Sequence, residues 1–204
     1  STDLYDDVMY FVIDDAINNC DKLRELALQQ SYKKSADYRW PGLRASIPEE
    51  IEIKYTQFVC SRLGMQLKLS GGFFQYVDKS WIEGTCHYDP TVYTSISYLN
   101  YNPEENSGTE LYDEGYFCDY YGDMISDFDP IKRKFYKSRR NIFGRNFYKR
   151  KYKEFNSNFK DPIVVENKFN RTFIFDSHRL HRAQNFFGKK LSDARLTMIC
   201  FFVL

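Results

Sequence analysis

Histidine is scarce in this chain of 204 residues, which has three. Chemistry that needs an imidazole is therefore confined to His87, His178 and His181. Cysteine is sparse as well: the five are odd in number and show no Cys-x-x-Cys spacing, which reads as a reduced, cytoplasmic protein with mostly buried thiols. No run of about 18 apolar residues occurs, so no transmembrane helix is expected. The opening stretch STDLYDDVMYFVIDD has acids where a signal peptide carries bases, and reads as a first strand. A formal net charge of +1 gives no overall bias toward nucleic acid or a membrane surface. Neither an internal repeat nor a low-complexity linker is present, and the length fits one domain over residues 1–204.

Aromatic residues are abundant instead, with 17 Tyr and 18 Phe, and they favour β-structure over a helix bundle. The pattern predicts a strand over 9–17, a helix over 18–30 capped by Asn19 or Asp21, and a loop over 38–50. A second helix follows over 48–64, with acids in its first turn and Gly64 past its end. Alternation predicts strands within 64–81, 91–101, 168–177 and 193–203, and a turn with a short strand over 102–115. Two helices followed by many strands give an α+β, mainly β, chain whose strands form a double sheet or barrel.

All three histidines lie beside expected strands. In TCHYDPTVYTSISYLN (85–100), His87 and Asp89 are two apart, so on extended backbone an imidazole and a carboxylate share one face. Two imidazoles and one carboxylate on one side of a metal are what a non-haem Fe(II) site requires. The third ligand would be His181 or His178, after the strand RTFIFDS. Arg195 opens the last strand, with Thr197 on the same face. A guanidinium there could grip a carboxylate through two parallel hydrogen bonds, and buried without an anion it would be costly. Cys86 adjoins His87 but points to the opposite face.

These segments, HYD … GTELY … FDSHRLHRAQ … ARLTMICFF, resemble the Fe(II)/2-oxoglutarate-dependent dioxygenases, especially the prolyl-4-hydroxylase-like branch. Tyr98-Leu99-Asn100, Gly108-Thr109 and Phe175-Asp176-Ser177 followed by His181 carry the resemblance, which covers about residues 73–204 and is weaker before. It implies a double-stranded β-helix (jelly-roll) core with N-terminal helices. It also implies iron on His87, Asp89 and His181, and the 2-oxoglutarate 5-carboxylate on Arg195. Thr197, Tyr76 and Tyr98 are added as candidates near the cosubstrate. The expected reaction consumes O2 and 2-oxoglutarate, releases succinate and CO2, and hydroxylates an unactivated C–H bond of a small molecule or peptide. The carboxylate of Asp89 favours hydroxylation, since halogenating relatives lack it. Trp81, Arg179 and Arg182 are candidates for the substrate entrance, and Asp176 for a hydrogen bond to a ligand histidine.

Residues 132–155 interrupt the pattern with eleven Lys or Arg and one Glu, a segment charge of +10. Aromatic residues at mixed three- and four-residue spacing predict a basic helical insertion packed across the barrel. The alternatives are a polyanion-binding surface and self-association. Nucleic acid is not the expected partner: the demethylases of that superfamily carry a second arginine six residues after the first, where this chain has Phe201. Outside the enzyme class, a jelly-roll that binds without turnover remains the competing reading.

Overall fold

The computed structural model describes residues 10–34, 40–112, 119–138 and 142–204, with backbone alone for 119–124, 126, 136–138 and 142–143. The acidic opening stretch before residue 10, Cys118, and Arg139 and Arg140 of the basic segment lie outside the described residues.

In chain order the strands are β1 (Tyr10–Ile13), β2 (Lys33–Lys34), β3 (Leu43–Ala45), β4 (Lys68–Val77), β5 (Tyr93–Tyr98), β6 (Thr109–Leu111), β7 (Ile163–Val165), β8 (Thr172–Asp176), β9 (His181–Ala183) and β10 (Arg195–Val203). The helices are α1 (Cys20–Leu28), α2 (Glu49–Leu63), α3 (Asp119–Ser138) and α4 (Ile142–Asn156). Seven strands form one sheet in the order β1-β8-β5-β10-β4-β3-β2, and three form a second, β7-β6-β9. All pairings are antiparallel.

Period-two alternation decides what each face of the large sheet meets. One face carries Phe74, Leu196, Met198, Cys200, Phe202 and Ile174, which pack with Leu23 and Ala27 of α1 and Tyr55 and Val59 of α2. The other carries Ile96, Tyr98, Phe173 and Phe175, which close against Leu111 and Val165 of the small sheet. These interleaved sheets make the double-stranded β-helix that the family resemblance implies. Each fully buried aliphatic or aromatic side chain contributes about 1.5–3 kcal/mol.

A third apolar cluster joins α3 and α4 to the mouth of the barrel. Phe128, Phe135, Tyr152 and Phe155 bury against Val77, Trp81, Cys86 and Leu180. The insertion is thus two amphipathic helices, with Lys134, Lys149 and Arg150 turned to water. It begins at Asp119, well ahead of the basic run.

The helix signals worked unevenly. α2 starts with Glu49, Glu50 and Glu52 in its first turn and ends at Gly64 with φ +66°, as expected. At α1, Asn19 does precede the helix, but it is left-handed (φ 57°) and its side chain makes no capping bond. The expected loop 38–50 contains β3, which pairs with β4. Flanking Pro41, Gly42 and Pro48 hid that strand. Gly42 has φ +76°, and a Cβ there would lie 2.3 Å from the Tyr76 carbonyl oxygen, so the sharp entry into β3 needs glycine.

Candidate metal centre and pocket

His87 and Asp89 lie on extended backbone just before β5, and His181 is the first residue of β9. An isolated antiparallel bridge pairs His87 with His181. The Asp89 amide donates to the Ser177 carbonyl at 2.8 Å, so both strands feeding the site are held by main-chain bonds. The metal-binding atoms of His87, Asp89 and His181 all lie within 4.8 Å of one another.

The imidazoles are oriented by bonds at their far sides. His87 Nδ1 is 2.8 Å from the Thr85 carbonyl oxygen, and His181 Nδ1 is 2.8 Å from the Arg179 carbonyl oxygen. A carbonyl can only accept, so each Nδ1 carries the proton and each Nε2 presents a lone pair. His181 Nε2 sits 3.3 Å from Asp89 Oδ2. That oxygen also accepts from Thr94 Oγ1 at 3.1 Å, and the Thr94 hydroxyl meets Ser177 Oγ at 2.8 Å. Burial, reinforced by His181, lowers the His87 pKa to about 4, which keeps the ring neutral. For Asp89, burial acts upward, but the adjoining His181 and His87 rings and the Thr94 hydroxyl outweigh it and bring the carboxyl to about 2. A neutral imidazole and an ionised carboxylate are the forms that bind a cation.

The triad opens onto a pocket of about 320 Å³ between the two sheets. Arg195 lines it, 2% exposed. Its Nε donates to the Ser107 carbonyl at 2.8 Å, and one terminal nitrogen faces the Gly108 carbonyl at 3.3 Å. Both are neutral acceptors, and among the described residues no carboxylate neutralises it. Burial lowers its pKa, opposed by the nearby Tyr98 phenol. Asn100 fixes the backbone on either side: its amide donates to the Ala194 carbonyl at 2.7 Å and accepts from the Leu196 amide at 2.8 Å.

Other expected residues fall differently. Tyr98 and Thr197 are on the pocket face but behind its wall. The Tyr98 hydroxyl donates to Thr109 Oγ1 at 2.7 Å, and the buried Thr197 hydroxyl has no partner among the described residues. Tyr76 does not serve the pocket. It sits on the opposite face of β4, its ring 5.1 Å from that of Tyr32, and the alternation puts Phe73 and Gln75 on the pocket side. Trp81 is buried in the α3–α4 cluster and Arg182 is paired with Glu83 and Glu110, so neither lines the pocket; nor does Arg179, which is buried elsewhere. His178 is half exposed beside Asp176, away from the triad; Asp176 Oδ1 accepts the His178 amide and caps the turn. Cys86 packs with the third cluster, on the side away from the metal ligands.

Sequence reasoning missed Trp40, Arg44, Gln75 and Lys132, all of which line the pocket. Trp40 and Arg44 come from the segment read as a loop. Lys132 was one of eleven basic residues with no local signal to single it out.

Two interleaved antiparallel sheets, with two imidazoles and a carboxylate at the mouth, form a double-stranded β-helix. The fold is similar to HygX from Streptomyces hygroscopicus, crystallised with nickel, 2-oxoglutarate and hygromycin B. That match has TM-score 0.59 and 10% identity, and covers 98% of this chain and 84% of that one. It is also similar to a 2OG-Fe(II) oxygenase family oxidoreductase from Burkholderia pseudomallei (TM-score 0.56, 8% identity, 95% and 84% covered). A Pseudomonas putida prolyl-4-hydroxylase matches with TM-score 0.54 and 11% identity over 96% and 92%. The chain itself belongs to DUF6445, a family of unknown function, which matches residues 5–202. No curated protein matches it.

Proposed function

We propose that this protein is an Fe(II)- and 2-oxoglutarate-dependent oxygenase that hydroxylates an unactivated C–H bond. One observation carries the reading. Three pre-oriented ligands of the right chemistry converge at one end of a pocket whose wall also holds a buried guanidinium that no carboxylate neutralises among the described residues. The donor set fits a ferrous ion bound through one face, with His87 Nε2, His181 Nε2 and Asp89 as its ligands. The pocket fits a diacid, with Arg195 supplying the cation for the far carboxylate.

Bound iron, with 2-oxoglutarate and O2, supplies the oxidising power, and the cosubstrate leaves as succinate and CO2 while the substrate C–H becomes C–OH. The chain's own task is placement. The Thr85 and Arg179 carbonyls hold the imidazole tautomers, and Thr94 holds the carboxylate. Trp40, Phe73, Phe186, Ile199 and Phe201 give the pocket apolar walls that exclude water from the reacting centre.

Anaerobic titration with Fe(II) and then 2-oxoglutarate tests this directly. The expected result is a weak visible charge-transfer band that is lost in His87→Ala and His181→Ala. Folded protein that shows no band would instead support a jelly-roll that binds without turnover.

A further inference from the structure

The large sheet carries a second cavity on the face turned away from the triad. It lies between α1, α2 and β10 and has a volume of about 640 Å³, against about 320 Å³ for the metal pocket. Met198 of β10 forms part of its floor, while the next residue, Ile199, points to the other side of the sheet and lines the metal pocket. The two cavities therefore share a strand and stand back to back. Leu26 of α1 and Ile51 and Phe58 of α2 give the second cavity apolar walls, and all three are only partly buried. The polar group on its floor is already committed: the Tyr55 hydroxyl bonds Ser95 Oγ at 3.0 Å and Ser97 Oγ at 2.8 Å.

Charge enters this cavity only at its rim. Lys22 of α1 and Lys54 of α2 line it, one from each helix, and both are exposed. No acidic side chain joins the lining. Glu25 and Glu50 are about one turn away on the same helices, but among the described residues neither lysine forms an ion pair. Asp21, the acid in the first turn of α1, lies outside the lining and accepts from the Tyr101 hydroxyl at 2.7 Å. An apolar hollow with two unpaired ammonium groups at its rim suits an anion with an apolar tail. The tail gains by leaving water, and each ammonium attracts the head.

We propose that this cavity is a second ligand site, for a small amphipathic anion whose tail lies on Met198 and Phe58 and whose head is held between Lys22 and Lys54. The site stands whether or not the triad binds iron. A tailed cation would meet two like charges there, and a tailed alcohol would gain burial without the attraction.

The test is calorimetric titration of the full chain with octanoate, octylamine and octanol. Octanoate should bind about tenfold or more tighter than octylamine, the ionised probe of opposite sign. Octanol is the charge-free control for the variants. Exposed charge pairs are individually weak, so Lys22→Gln and Lys54→Gln should each weaken octanoate about threefold, and together about tenfold, while octanol is unchanged. Lys149→Gln, on the exposed face of α4, should alter neither. Leu26→Trp, which fills the hollow, should abolish binding of both acid and alcohol, with thermal unfolding checking that the variant is folded. Loading with Ni(II) and 2-oxoglutarate should leave every affinity as it was, because that ligand set sits on the other face of the sheet. Four results would each overturn the proposal: octanoate failing to bind at millimolar concentration, octylamine binding as well as octanoate, a double lysine variant that weakens acid and alcohol alike or neither, and octanoate displaced by the Ni(II)/2-oxoglutarate loading. The last would put the acid in the metal pocket and leave the oxygenase reading untouched.

Discussion

The amide of His87 donates to the carbonyl of His181 at 3.0 Å, and the amide of His181 donates back to the carbonyl of His87 at 2.9 Å. Two ligands 94 positions apart in sequence are therefore locked in register by the main chain before any ion arrives. Their rings lie 4.4 Å apart as a result. Chelating geometry here is a property of strand pairing, and changes to that pairing should be felt at the metal.

Gly84→Ala tests that link. A Cβ at Gly84 would lie 2.5 Å from the Ala183 carbonyl oxygen and 2.8 Å from its nitrogen, both backbone atoms that cannot swing aside. The expected cost is about 1–3 kcal/mol, or a fall in Tm of roughly 2–12 °C at this size. Ni(II) affinity should fall with it. Calorimetric titration alongside thermal unfolding checks both, and unchanged metal affinity in a destabilised variant would uncouple pairing from chelation.

Thr94→Val keeps shape and removes the hydroxyl that donates to Asp89. Loss of such a supporting bond is expected to weaken metal binding 10- to 100-fold. The variant also leaves Ser177 with Thr91 as its remaining hydroxyl partner, at 2.9 Å. Titration with Co(II), whose visible spectrum reports coordination, separates lost affinity from changed geometry.

At the other end of the pocket, Arg195→Lys should raise the KM for 2-oxoglutarate at least tenfold, because an ammonium cannot reproduce the paired bonds of a guanidinium. Asn100→Ala, which touches only the backbone at Ala194 and Leu196, should raise the same KM by a smaller factor. Succinate release measured against cosubstrate concentration gives both values. Asn100→Ala with an unchanged KM would mean that the strand alone positions Arg195.

A pH effect on stability is expected far from the pocket. Asp14 accepts from Arg171 Nε at 2.6 Å and from Lys168 Nζ at 2.7 Å, and these bonds hold its carboxyl well below the usual carboxylate range. A depressed folded-state value gives stability that is present above the ordinary aspartate value and lost as the pH falls through the folded one. The cluster is partly exposed, so Asp14→Asn should cost less than about 1 kcal/mol at pH 7. The difference from wild type should shrink steadily as the pH falls from about 4 toward the folded-state value. A gap in Tm that stays constant over that range would show that the charge is not what binds the β1 end to the lead into β8.

Much of this site could be read from residue types and spacing. His87, Asp89 and Arg195 stood out because strand alternation and chemical need coincide on them, and α2 because its acidic start and glycine stop agree. Pairing partners could not be read. Tyr76 and Gln75 are neighbours in sequence, and only the β4–β10 register, in which Thr197 faces Gln75, shows which of them sees the pocket. β3 was hidden by prolines that mark its ends rather than deny it. Lys132 and Trp40 are ordinary in their own segments, and become chemical only when tertiary packing draws α3 and the β3 lead-in to one ring. Arg182 failed in the other direction: its neighbours in sequence suggested the pocket, yet Glu83 and Glu110 claim it.

The last residue of α4 gives the helical insertion a second meaning. The Asn156 side-chain amide donates to the Gly84 carbonyl at 3.0 Å, and its oxygen accepts from the Cys86 amide at 3.4 Å. Those two bonds brace the segment that delivers His87. Trimming or exchanging the insertion to alter substrate range would therefore remove a buttress along with a wall, leaving the first imidazole to its bridge with His181 alone.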